Sequence, residues 1–270
     1  MKKFAFLAVA AALVFAGCDK NDDNGGKKDE PKDYVEYQGV KYKIATLKDG
    51  NVWMTENLRY VPAGKTVSAD PADNSGVWYA YTYDTDFHAG EEASATRGYL
   101  YNAATAFGVE ALTAENVATF EGTQGICPNG WHIPTFAEWF ALVGVAPKLT
   151  VAAAGYEAGT TPLNENAFYY NADYKGGKVS EMADVNFAFA GTRNQTGSFI
   201  KPLANYETMP MTYLWASTLY KSEFNDDGSI KSLQFFSLGS TATKAYPEGR
   251  LTVMFDNYGN GCPVRCVKNK

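Results

Sequence analysis

Apolar and polar residues alternate near the start of the chain, as they do in strands that bury one face. Tyr34–Tyr37 and Val40–Thr46 alternate in this way around the turn Gln38-Gly39, so they are predicted to form a β-hairpin. Residues 52–58 are predicted to be a further short strand or extended segment. The strand-like runs of the second half are residues 185–190, 213–217, 233–238, 251–255 and 264–268.

Helical spacing of apolar residues is confined to a few short stretches. Residues 99–107 are rich in alanine and are predicted to form a helix that ends at Gly108. Residues 113–120 are predicted to form a second short helix. Short helices followed by strands favour an α+β fold, with a single domain over residues 34–270 and a long surface excursion at residues 155–182.

The clearest helix start follows Pro134. Thr135 can accept hydrogen bonds from the free N–H groups of the first turn, and Glu138 can reach back to the N–H of Thr135, which is a capping box. An apolar face follows over Trp139, Phe140, Leu142 and Val143.

The N-terminus has the pattern of a bacterial lipoprotein signal. Lys2 and Lys3 precede an apolar run at residues 4–15, which is shorter than the about 20 residues of a membrane-spanning helix. Small residues directly before Cys18 resemble a lipobox, so we expect a signal peptide at residues 1–17 and lipidation of Cys18, palmitate included. An ordinary signal peptide followed by an incidental cysteine is the alternative.

A polar segment separates this signal from the body of the chain. Residues 18–33 contain no large apolar side chain, so they are predicted to be a flexible acidic tether. Residues 20–23 resemble the acidic export signal of surface lipoproteins in Bacteroidetes. We therefore expect an outer-membrane lipoprotein, attached to the membrane through its N-terminal lipid and exposed at the cell surface; a periplasm-facing lipoprotein is the alternative.

Composition narrows the classes of function. The chain has 270 residues, 24 Lys+Arg, 30 Asp+Glu and a formal charge of −6, which argues against a nucleic-acid partner. Its two histidines, His88 and His132, argue against a His-rich metal site. The common catalytic and nucleotide-binding motifs are absent from the sequence. We expect no cofactor, no metal and no enzymatic activity.

Three cysteines remain once Cys18 is assigned to lipid. Cys127 can pair with Cys266 across a long loop, or Cys262 can pair with Cys266 in a tight turn that Pro263 permits. We favour the first pairing, which leaves Cys262 as a free thiol.

Four stretches, taken together, have a recognisable pattern. They are WMTENL at 53–58, GYLYN at 98–102, GICPNGWHIPT at 125–135 with the following Glu138-Trp139, and VRCVK at 264–268. They resemble the Fibrobacter succinogenes major paralogous domain, a family of secreted bacterial lipoproteins, and WAST at 215–218 resembles a fifth block of the same family.

The resemblance implies a C-type-lectin-like fold, related to the domain of formylglycine-generating enzymes. It also supports the pairing of Cys127 with Cys266. The sequence departs from the family pattern at Cys262, where a cysteine is unusual, and at Tyr99, where a basic residue is usual.

Several conspicuous residues are predicted to be structural. Trp131, Trp139 and Trp215 lie in apolar patterns, so we expect core rings rather than a ligand platform. Glu138 is expected to cap its helix, and a buried pair between Glu138 and Arg265 is a further hypothesis. The acidic loops at residues 70–73 and 225–228 offer oxygen ligands to calcium, but the second is better explained as a hairpin turn between Phe224 and Ile230.

Tyrosine-rich segments are the candidate ligand contacts. Alternation after Trp78 would place Tyr79, Tyr81 and Tyr83 on one strand face, where they can stack on sugars or anchor a protein. Inward packing of that face is the alternative. Tyr169 and Tyr170, in the surface excursion, are a second candidate.

These features predict a non-catalytic binding domain on a surface-anchored lipoprotein. The first hypothesis is glycan recognition without calcium. The second is an envelope or adhesion protein that binds a protein partner. The third is an oxidase-like enzyme that uses Cys262 and Cys266.

Overall fold

The computed structural model describes residues 33–81, 89–143, 188–200, 211–243 and 246–270. Asp33–Lys270 belong to one compact unit. The helices are α1 (Glu91–Arg97), α2 (Ala103–Phe107) and α3 (Phe136–Val143), and a 3₁₀ turn covers Val117–Thr119. The strands are β1 (Tyr34–Tyr37), β2 (Val40–Thr46), β3 (Val52–Met54), β4 (Val77–Tyr79), β5 (Tyr99–Tyr101), β6 (Trp131–His132), β7 (Arg193–Asn194), β8 (Ser198–Phe199), β9 (Met211–Phe224), β10 (Ile230–Thr243), β11 (Tyr246–Asn257) and β12 (Val267–Lys268).

A five-stranded antiparallel sheet has the order β1-β2-β3-β12-β6. The predicted β1–β2 hairpin is confirmed, and its turn residues Gln38 and Gly39 have φ angles of 51° and 76°. Such positive φ values match the twist of a two-residue hairpin loop. The C-terminal strand β12 lies between β3 and β6, with Val267 opposite both Trp53 and His132. Segments far apart in sequence therefore share this sheet.

Strands β9, β10 and β11 form a second antiparallel sheet, with β10 in the middle. The turn between β9 and β10 is the predicted Asp-Gly hairpin turn. Gly228, at φ 80°, donates its N–H to the carbonyl of Asn225 at 2.9 Å, and Asp227 accepts from the N–H of Ser229 at 2.9 Å. This acidic loop is thus closed by its own hydrogen bonds.

The structure corrects the prediction of one helix over residues 99–107. Tyr99–Tyr101 form β5, which pairs with β4, and only Ala103–Phe107 are helical. Asn102 caps that helix by accepting from the N–H of Thr105, and Gly108 ends it in the left-handed conformation, as predicted. Pairing with distant residues has therefore overridden the local helical pattern.

The secondary structure also differs from the prediction at three other places. The helix predicted at residues 113–120 is reduced to the 3₁₀ turn at Val117–Thr119. Residues 188–190 are not a strand, and residues 185–187 lie outside the described residues. Helix α1 was not predicted, because it buries only Ala93 and Ser94 and shows no apolar stripe.

Aromatic residues form much of the core. Trp131, Trp139 and Trp215 are all buried, as expected. The ring of Trp139 lies 4.8 Å from that of Trp53, and its Nε1 donates to the carbonyl of Trp215. The indole N–H of Trp215 donates to the carbonyl of Tyr101 at 2.8 Å, so this polar group is satisfied inside the core.

The capping box at the start of α3 is confirmed. The N–H of Thr135 donates to Glu138 Oε2 at 2.8 Å, and the N–H of Glu138 donates to Thr135 Oγ1 at 3.2 Å. The hypothesis that Glu138 pairs with Arg265 is wrong. Glu138 contacts the ring of His132, whereas Arg265 donates from Nε and Nη2 to Asn57 Oδ1 at 3.1 and 2.8 Å.

Cys127 and Cys266 form a disulfide, and Cys262 is a buried free thiol. Burial raises the pKa of Cys262 well above its usual range. Cys266 is bonded to Cys127, so Cys262 and Cys266 are not the free thiol pair that the oxidase hypothesis requires.

Antiparallel sheets and few, short helices dominate the described residues, which is consistent with an α+β or mostly-β domain. None of the helices in the described part of the chain has the length and apolar composition needed to cross a membrane.

The disulfide predicts a specific peptide map. Trypsin cleavage after Arg265 places Cys262 and Cys266 on different peptides, so a non-reducing digest should yield a Cys127–Cys266 linked pair. Cys262 should react with a thiol reagent only after denaturation, because its side chain is buried. A linked Cys262–Cys266 pair would contradict this arrangement.

Replacing Cys127 and Cys266 by alanine should lower the free energy of unfolding by about 2–4 kcal/mol in denaturant titrations.

Candidate binding pocket

The structure describes only some of the predicted site residues. The lipidation site Cys18 and the candidate ligand contacts Tyr83, Tyr169 and Tyr170 lie outside the described residues. Trp78, Tyr79 and Tyr81 are described, and the expectation that Tyr79 and Tyr81 share one exposed strand face is wrong.

Trp78 and Tyr81 are buried rather than exposed. Strand β4 ends at Tyr79. The next two residues, Ala80 and Tyr81, are both buried, so the alternation of exposed and buried residues does not continue to Tyr81. The single O–H of Tyr81 is shared between the carbonyls of Thr192 and Ile200, at 2.9 and 2.8 Å, and the hydroxyl oxygen accepts from the N–H of Thr192 at 2.8 Å. Tyr81 is therefore a structural residue.

Tyr79 alone among these rings is half-buried at the surface. Its ring meets that of Tyr99 edge-on, with centroids 5.9 Å apart. A second half-buried pair, Tyr37 and Tyr60, has its centroids 5.0 Å apart. Burial and the neighbouring hydroxyl of Tyr60 raise the pKa of Tyr37 to about 12.

A polar pocket lies beside the buried ring of Trp78, with a cavity volume of about 590 Å³. Its walls come from the loop before β4, the start of α2, the β7 segment, the start of β10 and the end of β11. Four carboxamide side chains line it, those of Asn74, Asn102, Gln195 and Asn257. Hydroxyl groups come from Thr196, Ser232 and Tyr258.

Arg193 and Lys231 provide the formal charges of this lining. The guanidinium of Arg193 lies 4.0 Å above the ring of Trp78, a cation–π contact, and the residue is only 4% exposed. It donates from Nε to the carbonyl of Pro71 at 2.6 Å and from Nη1 to that of Gly259 at 2.8 Å. Burial lowers its pKa, and the charge of Asp73 opposes that shift. The arginine thus ties two loops together at the pocket.

The buried carboxyl group of Asp256 stabilises the segment that carries Arg193 and Gln195. Asp256 accepts from the hydroxyl of Ser237 and, at 2.8 Å, from the amide of Asn260. Asn260 Oδ1 in turn accepts from the N–H of Gln195 at 2.8 Å. Burial raises the pKa of Asp256, although its hydrogen bonds to Ser237 and Asn260 act in the opposite direction. These hydrogen bonds hold the backbone of Gln195 in place, and Gln195 lines the pocket.

The carboxamide and hydroxyl side chains of the pocket suit the neutral polar groups of a ligand. A carboxamide presents a donor and an acceptor together, and a hydroxyl group can act as either. Groups of this kind match the hydroxyl groups of a polyhydroxylated molecule. Within the described residues, no three His, Cys, Asp or Glu side chains are arranged to hold a metal ion.

Sequence reasoning missed this pocket because its residues come from separate segments. Two of the segments, RNQTG at 193–197 and NYGNG at 257–261, combine carboxamides with turn glycines. Loops of that composition are a weak signal for binding residues. The sequence alone does not bring them together.

A separate polar cluster joins β6 to α3. His132 Nε2 lies 3.0 Å from both carboxylate oxygens of Glu138, and His132 Nδ1 lies 2.6 Å from Asn269 Oδ1. Burial disfavours the charged ring, but the hydrogen bonds to Glu138 and Asn269 outweigh it and raise the pKa of His132. Burial likewise disfavours the charged form of Glu138, yet its bonds to His132 and Thr135 lower its pKa.

The buried hydroxyl of Tyr81 predicts a large effect from a small change. Tyr81→Phe removes the hydroxyl that binds the carbonyls of Thr192 and Ile200 and the N–H of Thr192, so these backbone groups lose this partner. We expect the free energy of unfolding to fall by about 1–3 kcal/mol in denaturant titrations. Tyr79→Phe is the matched control and should change it by less than about 0.5 kcal/mol. Equal effects of the two variants would contradict the structural role of Tyr81.

The His132–Glu138 pair predicts a pH window for stability. The raised pKa of His132 stabilises the fold below its ordinary value of 6.5, and that contribution is lost as pH rises through the folded pKa. The lowered pKa of Glu138 contributes above 4.5 and is lost as pH falls through its folded pKa. The difference in the free energy of unfolding between the wild type and His132→Gln should therefore be largest between pH 4.5 and pH 6.5. Denaturant titrations from pH 4 to 8 measure it, and a difference that grows above pH 7 would contradict the pairing.

Comparison with known proteins gives one result. The model of the family described as the Fibrobacter succinogenes major domain matches residues 49–268. No curated protein and no solved structure matches the chain. The matched range spans all the pocket segments and both cysteines of the disulfide. The chain therefore belongs to the Fibrobacter succinogenes major domain family.

Proposed function

We propose that this protein is a lipid-anchored binding module that recognises saccharides directly, without calcium, in the pocket beside Trp78. The observation that supports it is the lining itself: four carboxamides and three hydroxyl groups around a cavity of about 590 Å³. That volume lies within the range of small-molecule sites.

The chemistry of the lining explains why a cation is not needed. Neighbouring hydroxyl groups of a sugar ring can each donate and accept, and a carboxamide can serve both roles at once. Asn74 and Gln195 are exposed at the pocket, whereas Asn102 is held by its capping bond to Thr105. The half-buried Tyr258 adds an aromatic ring and a hydroxyl group. These groups would contact a saccharide without an intervening metal ion.

The remaining parts of the proposal concern fold and location. A C-type-lectin-like fold fits antiparallel sheets, short helices and a disulfide that joins the middle of the chain to its end. Lipidation at Cys18 and exposure on the outer membrane are supported by the lipobox-like residues and the polar segment after them. The binding domain would then face the surroundings of the cell on a flexible tether.

A second candidate is binding of a protein partner through tyrosines. The pairs Tyr37–Tyr60 and Tyr79–Tyr99 are half-buried, and the guanidinium of Arg59 lies above the ring of Tyr42 at 5.7 Å. Tyrosine and arginine are enriched among the residues that dominate protein interfaces. This observation favours the adhesion hypothesis.

A glycan array probed with the purified full chain, with calcium and with chelator, tests the first proposal. We expect binding that survives chelation. Gln195→Ala and Asn74→Ala should each weaken it about fivefold, the value of one hydrogen bond. Asn129→Ala, an exposed carboxamide outside the pocket, is the matched control and should change nothing.

The opposite outcomes separate the two candidates. Binding that is lost with chelator, or that is unaffected by Gln195→Ala, would overturn the saccharide pocket. Absence of glycan binding together with capture of a protein that is lost in Tyr79→Ala and Tyr60→Ala would favour the tyrosine surface.

A further inference from the structure

The charge of the pocket differs in sign from that of the chain. The chain has a formal charge of −6, but the formally charged side chains that line the pocket, Arg193 and Lys231, are both basic. A concave site with charge of one sign raises the local concentration of ligands of the opposite sign. The net negative charge of the protein repels anionic ligands, whereas the two basic residues of the pocket attract them.

Arg193 is a buried cation whose hydrogen bonds go to neutral groups. Nε, Nη1 and Nη2 donate to the backbone carbonyls of Pro71, Gly259 and Asp73, the last at 3.5 Å. A guanidinium has five N–H groups, so one on each terminal nitrogen remains beyond these three bonds. Burying a cation is costly unless a counter-charge offsets it. A ligand anion bound to these two N–H groups would supply such a counter-charge.

The carboxylates near the two pocket cations are shared with other groups. Asp73 interacts with the charge of Arg193, but its Oδ1 accepts from the N–H of Ser75 in its own loop at 2.5 Å. Glu223 lies 3.6 Å from the ammonium of Lys231 and 3.0 Å from that of Lys221. One carboxylate is thus shared by two lysines, and the side chain of Lys231 is 65% exposed at the pocket.

We propose that the ligand is an acidic saccharide whose carboxylate binds Arg193, with Lys231 as a second cation at the rim. This inference rests on the proposed saccharide-binding function. The planar guanidinium matches a carboxylate with two parallel hydrogen bonds. The carboxamides then hold the ring hydroxyl groups of the same sugar. The class of ligand is a uronic-acid oligosaccharide.

A matched pair of ligands isolates the charge. Uronic-acid oligosaccharides and their methyl esters differ in the carboxylate and keep the same ring hydroxyl groups. Titration calorimetry with the full chain in chelator should give at least about tenfold tighter binding of the acid than of the ester. The preference should shrink as salt is raised. Neutral and sulfated oligosaccharides of similar length form the other two arms.

Two lysines provide a matched pair of variants. Lys231→Gln removes the cation that lines the pocket, and we expect it to weaken binding of the acid about threefold to tenfold with little effect on the ester. Lys221→Gln removes the same charge from the neighbouring strand and contacts the same Glu223, but it does not line the pocket. It should leave the preference unchanged. Neither substitution should alter the unfolding temperature, because exposed and half-buried ion pairs contribute little to stability.

The results distinguish failure of this inference from failure of the proposed function. Equal binding of acid and ester, both weakened by Gln195→Ala, would overturn the acidic ligand and leave saccharide binding intact. Tighter binding of a sulfated sugar than of the uronic acid would overturn the assignment of a carboxylate as the group that binds Arg193. Absence of binding in all arms, or binding insensitive to Gln195→Ala, would overturn the saccharide pocket itself.

Discussion

Burial of the segment at residues 261–267 is the constraint on which the rest of the structure depends. Every residue of this segment is buried, Arg265 included. Its carbonyls accept from the N–H groups of Met54, Leu58, Tyr101 and Trp215, which lie in three different parts of the chain. Burial lowers the pKa of Arg265 to about 9, and the charge of Glu56 opposes that shift. The segment therefore joins the five-stranded sheet, β5 and β9 around one buried backbone.

Local features of the fold could be predicted because neighbouring residues determine them. The β1–β2 hairpin follows from alternation around Gln38-Gly39, which supplies the positive φ angles of the turn. The capping box of Thr135 and Glu138 depends on side chains three positions apart. The Cys127–Cys266 pairing was favoured over its rival and was supported by a resemblance that covers whole motifs. The hairpin and the capping box are thus encoded in short stretches, whereas the disulfide joins residues 139 positions apart and was predictable only through the two motifs that contain its cysteines.

The remaining features depend on contacts between distant residues. Tyr99–Tyr101 show helical spacing but form a strand, because β4 on one side and Cys262 on the other offer backbone partners. Alternation puts Tyr81 on the same strand face as Tyr79, but Thr192 and Ile200, far along the sequence, bind its hydroxyl inside the core. The pocket is a stronger example, since each wall comes from a different segment. Neither periodicity nor composition reports which loops meet.

The buried segment also couples the candidate pocket to the core. Arg193 exchanges two backbone hydrogen bonds with Gly261, at 2.9 and 2.7 Å. Gly261 is the first residue of the segment whose carbonyls bind the N–H groups of Met54, Tyr101 and Trp215. A substitution that loosens this segment would therefore displace Arg193 as well as the strands of the core. The pocket wall and the core thus cannot vary independently of each other.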